Sequence, residues 1–81
     1  MSIEIDVFEA TELRLERLEY RYRRAQNALA GARALYGALR ESPRASTVQL
    51  HHALRRVEEA QRYLIDLQSA IELAEEQTAA A

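Results

Sequence analysis

Any chemistry in this 81-residue chain must come from its two histidines, its carboxylates, its hydroxyls and its arginines, because it has no cysteine. His51 and His52 are adjacent. On a helix of 3.6 residues per turn their side chains point about 100° apart, too far to hold one metal ion together. Four residues further on stand Arg55 and Arg56, so neither imidazole has a second ligand at chelating spacing. Glu58–Glu59 and Glu75–Glu76 are carboxylate pairs, but a ferritin-like centre needs Glu-x-x-His on facing helices, and no such spacing exists. These acids read as solvated helix faces. Gly31 and Gly37 stand singly in a helical stretch and cannot make a phosphate cradle. The hydroxyls near residues 42–47 lack a base and an acid to activate them. The expectation is a chain that is not an enzyme and holds no metal or cofactor.

Arg14, Arg17, Arg21 and Arg24 step 3-4-3 along one helical row, with Arg23 beside them. Such a row could serve phosphates or an acidic partner. Glu12, Glu16 and Glu19 are interleaved with it, and Asp66 and Glu72 would lie opposite in a hairpin, so pairing of charges is the favoured reading. Net charge is −2, which gives no general attraction to nucleic acid. Residues 14–62 carry all eleven arginines against five acids, and the two ends carry the other eight acids, so a hairpin would be electrically polar along its length. Tyr20, Tyr22, Tyr36 and Tyr63 could stack on bases, but two of them fall on the buried seam described next.

The elements that position these residues are two long helices. Pro43 is the only proline and there are only two glycines, while alanine, leucine, glutamate and arginine dominate. Phe8, Thr11, Leu15, Leu18, Tyr22, Ala25, Leu29, Ala32, Tyr36 and Leu39 follow a strict 3-4 spacing, the seam of a heptad pattern. Asp6 with Glu9 forms a predicted capping box, with Ile5 stapling onto Ala10. The first helix is predicted over about 7–40. The stretch ESPRAS, about 41–46, breaks it, since proline restricts the residue before it and donates no hydrogen bond. Ser46 with Gln49 makes a second capping box, and Ser42 ahead of Pro43 is an alternative start. Leu50, Ala53, Val57, Ala60, Leu64, Leu67, Ile71 and Ala74 repeat the spacing, which predicts a second helix over about 47–76 with a fraying alanine tail.

Two helices of roughly 45–50 Å joined by a short loop give an all-α, antiparallel two-helix hairpin as one domain spanning 1–81. No apolar run of about 18 residues exists to span a membrane, and the acidic start does not read as a secretory signal. One seam does not use all the apolar surface. Leu13, Tyr20, Ala28 and Leu35 on the first helix, and Leu54, Ile65 and Leu73 on the second, lie off it, with Tyr63 further round. Burial of a Leu or Ile stabilises by about 1.5–3 kcal/mol, so this surface is read as a partner-binding face. Its expected anchors are Leu13, Tyr20, Leu35, Leu54, Ile65 and Leu73.

The segments LRLERLEYRYRRAQNALAGARALYGAL and VQLHHALRRVEEAQRYLIDL, joined by a turn with one proline, resemble the small helical-hairpin co-chaperones of bacterial type III secretion systems, the YscE-like group. The similarity covers most of residues 13–67, and its most telling part is the proline-bearing turn followed by Leu50, Ala53, Val57, Ala60 and Leu64. The turn departs from that group in carrying no glycine. The resemblance implies a cytoplasmic hairpin that binds a tetratricopeptide-repeat chaperone and helps hold a secreted, filament-forming subunit soluble. Three functional readings follow from the sequence: a chaperone or adaptor docked on another protein, a second copy completing a homodimeric four-helix bundle, and a weak nucleic-acid binder using the arginine row.

Overall fold

The computed structural model describes residues 7–80. Two helices, α1 (Val7–Glu41) and α2 (Thr47–Ala80), pack along their lengths as an antiparallel hairpin, and no strand occurs among the described residues. The predicted Asp6 cap, its Ile5 staple and the seam position of the Phe8 side chain lie outside what is described. At 35 and 34 residues the helices run about 52 and 51 Å. The molecule measures 65 × 25 × 15 Å with a radius of gyration of 18.5 Å, where a compact chain of this length has about 12 Å. No described helix is long and apolar enough to cross a membrane.

Every described seam position predicted from the 3-4 spacing is buried or half-buried, and from residue 9 onward α1 has no other position that is not exposed. The core proper is Ala25, Leu29, Ala53, Leu67 and Ala74. Three of these five are alanines, so the helices approach closely but bury little area at each level. Among the described residues no large side chain is fully enclosed.

The turn explains why it needs no glycine. The Ser42 amide donates to the Leu39 carbonyl at 3.2 Å, tightening the end of α1, and the Ala45 amide donates to the Ser42 carbonyl at 3.3 Å. Pro43 therefore takes the second position of a β-turn, where its fixed φ is already suitable. No described residue has a positive φ. The Ser42 hydroxyl accepts from the Arg44 amide at 3.4 Å, a role within the turn and not a helix cap. Ser46 is the cap: its hydroxyl accepts from the Gln49 amide at 3.1 Å, and Gln49 Oε1 accepts from the Ser46 amide at 2.9 Å. This is the reciprocal capping box that the sequence predicts.

The far end of α2 differs from the expectation of a helix closing near 76 and a frayed tail. The helix continues to Ala80. Thr78 extends the seam by one further step of four from Ala74, is half-buried, and donates its hydroxyl to the Ala74 carbonyl at 2.9 Å. Alanine, the best helix former, carries the remaining residues.

Two stability outcomes follow. Leu67→Ala, at a buried seam position, lowers unfolding free energy by about 2–5 kcal/mol, while Val48→Ser, exposed and off the seam, changes it by less than about 0.5 kcal/mol. Ser46→Ala costs about 1 kcal/mol through loss of the cap. Thermal melts followed by circular dichroism check all three.

A candidate docking groove

The two flanks of the hairpin are chemically different, and heptad geometry says why. Residues immediately before a seam position fall on one flank, and residues immediately after it fall on the other. On α1 the preceding positions include Arg17, Arg21, Arg24, Ala28, Gly31 and Leu35; on α2 they include Arg56 and Tyr63. In an antiparallel pair these positions from both helices meet on a common side. The following positions are Glu12, Glu19, Gln26, Arg33 and Arg40 on α1, and Leu54, Gln61, Gln68 and Glu75 on α2. That flank is largely polar, with Leu54 and, further from the seam, Ile65 as its large apolar residues.

The first flank forms a groove. Its main section, about 700 Å³, is lined by Leu13, Glu16, Arg17, Tyr20, Arg21, Arg24, Ala25, Ala28, Ala60 and Tyr63. A second section of about 340 Å³ continues it past Gly31, Ala32 and Leu35, with Ala53 and Arg56 on α2, and shares Ala28 and Ala60 with the first. From Leu13 to Leu35 the groove spans about 33 Å of helix. Its floor is made of small residues, so a visiting helix can come close. Gly31 belongs to that floor, and a Cβ built there meets nothing within 4 Å. The hairpin's own packing therefore does not require a glycine at this position.

The rim is basic. Arg17, Arg21, Arg24 and Arg56 line the groove against Glu16 as the one described acid. The interleaved acids of the sequence imply that the arginine row is paired. Among the described residues it forms no ion pair, which corrects that reading. Arg24 instead lays its guanidinium 5.9 Å from the centroid of the Tyr20 ring, as Arg40 does at 5.8 Å over Tyr36. On a straight helix the acids at 12 and 19 turn toward the other flank, which leaves the arginines facing the groove with Glu16 alone among the α1 acids.

The six expected anchor residues are all exposed, from Leu54 at 37 % to Tyr20 at 56 %. They do not make one face. Leu13, Tyr20 and Leu35 line the groove, whereas Leu54, Ile65 and Leu73 do not. Leu54 and Ile65 each follow a seam residue and so lie toward the other flank, while Leu73 precedes Ala74 on the groove side, beyond the groove's lined length. Tyr63, read from the sequence as lying further round, lines the groove with Tyr20 and is half exposed. The signal that finds it is its place immediately before Leu64. Tyr22 and Tyr36 are half-buried on the seam.

His51 and His52 are exposed one turn into α2, around a shallow depression with Thr47, Val48 and Arg55. Among the described residues no three His, Asp or Glu side chains gather to hold an ion. Replacing both histidines by Gln is expected to shift the melting free energy by less than about 0.5 kcal/mol and to leave metal content at background, measured by calorimetry and elemental analysis. No family model, curated protein or solved structure matches the chain.

Proposed function

We propose that this chain is a non-catalytic docking hairpin whose basic-rimmed apolar groove receives an amphipathic helix of a protein partner. The observation that carries the reading is the groove itself: about 33 Å long, floored by alanines and Gly31, edged by Leu13, Tyr20, Leu35 and Tyr63, and rimmed by four arginines. A helix laid there buries apolar side chains against the floor and meets cations at the edge, which is helix-in-groove recognition. Exposed aromatic and arginine side chains are the residue types that anchor such interfaces. A narrower form rests on the resemblance to type III secretion co-chaperones. It makes the partner a cytoplasmic tetratricopeptide-repeat chaperone, acting with it on a filament-forming secreted subunit.

A single strand of nucleic acid is the competing occupant, through Arg17, Arg21 and Arg24 with Tyr20 and Tyr63. The alanine floor and the net charge of −2 favour a protein helix.

The test fills the groove from its floor. Gly31→Leu and Ala28→Leu place side chains in open space without touching the seam, so helicity and melting should be retained. A partner co-purified with the wild-type chain should be lost from both variants, with a weakening of about tenfold or more per variant. Retention of the partner by folded, plugged variants would locate the working surface elsewhere. Binding that tracks salt and nucleic acid would favour the competing occupant.

A further inference from the structure

We infer that the groove is occupied by α2 of a second copy of this chain, the two hairpins being related by a two-fold axis that runs along their length. The inference rests on the docking reading above and names the occupant.

The first ground is charge. The groove is lined by three arginines of α1, at 17, 21 and 24, against the single acid Glu16. On the same flank, facing away from the seam, α2 presents Glu59, Asp66 and Leu73, seven residues apart, each immediately before a seam position and each exposed. One hairpin thus displays a basic row on α1 and, on α2 beyond Arg56, an acidic-apolar row, side by side on one flank. A two-fold axis along the hairpin lays that flank on itself, so α1 of each copy faces α2 of the other at the same level.

The level can be read from the groove. Ala28 and Ala60 line both of its sections, and Tyr20 and Tyr63 line its main section. Residue numbers on facing levels therefore sum to between the low and high eighties. Arg21 then stands level with the segment around Asp66 of the second copy, and Leu13 with the segment around Leu73. The cation row meets carboxylates, and an exposed leucine at the groove's end meets another. A two-fold axis across the hairpin would instead set α1 over α1, where Glu16 is the one groove-lining acid set against the three arginines of each copy.

The second ground is area. The chain exposes 6763 Å². A compact monomer of 9.3 kDa exposes about 5,000 Å². The excess, about 1,800 Å², is more than twice the roughly 800 Å² per partner of a standard stable interface. A four-helix bundle covers surface on this scale, and in that geometry each groove is filled by the other's helix.

The experiment is sedimentation and light scattering of the full chain over a wide concentration range, with circular dichroism to confirm folding. The wild type is expected at twice the chain mass. Arg21→Glu and Asp66→Arg should each weaken the dimer by about tenfold or more while staying helical. The chain carrying both changes should regain it, because each swapped residue meets its swapped counterpart across the axis. A dimer that neither single change weakens, or that the double change fails to restore, overturns the inference. A monomer at every concentration also overturns it; the docking reading then stands if Gly31→Leu releases a co-purified protein, and falls with it if the plugged variant keeps that protein.

Discussion

A hairpin of two helices has one internal surface, and everything else in this molecule follows from how that surface is used. Side chains can be shielded only along the line where the helices touch, one step of three or four residues at a time. The line here intersperses alanine among leucine, tyrosine and β-branched residues, most regularly over 22–36 and 50–60. Alanine lets the backbones approach, and the leucines between them supply the burial. Only Leu29 and Leu67 among the large residues are as buried as the alanines. Close approach thus comes at a cost in area per level, and the chain makes up for it in length, with helices of 35 and 34 residues. The elongated shape is the geometric result.

Much of this was legible in the residues. A seam spaced 3-4 admits one helical face and one only, so the pattern of burial along α1 is recoverable position by position. The turn was legible up to the choice between Ser42 and Ser46 as cap, because Pro43 and the Ser46–Gln49 pair act through local contacts that need no distant partner. What was less legible depended on relations between the helices. Tyr63 belongs to the groove because it stands immediately before Leu64, on the side where the preceding positions of both helices meet, a relation that shows only once α1 is laid beside α2. The arginine row looked paired because its acids are close in sequence, yet adjacency along the chain is not adjacency around the helix. Thr78 was hidden for a simpler reason: a threonine does not announce itself as a seam residue until its neighbour is in place.

The groove arises from an asymmetry that antiparallel packing amplifies. Positions preceding the seam meet their counterparts on one side, so any bias in what fills them is doubled. Here the bias is toward arginine, alanine and tyrosine, and on the opposite side toward glutamate and glutamine. Small side chains at the floor lower the surface between two ridges, and long cationic ones raise its edge. The same residues that set the helix spacing, Ala25, Ala32, Ala53 and Ala60, also set the depth of the floor. Stability and the shape of the outer surface are therefore coupled: a bulkier residue at these positions would part the helices and reshape the groove at once.

The short turn also orders the events of folding. Only residues 42–46 lie between the helices, so the first interhelical contacts close a very small loop, and the entropy of closure grows only slowly as later contacts form. Ala32 and Ala53 are separated by 21 positions, Ala25 and Ala60 by 35, and each level reached brings the next within range. The chain can close like a zipper from the proline outward, with no step that must wait for a remote encounter. Topology of this kind belongs among the fast folders. It also grades the molecule along its axis, since opening can begin at the free ends without disturbing the turn.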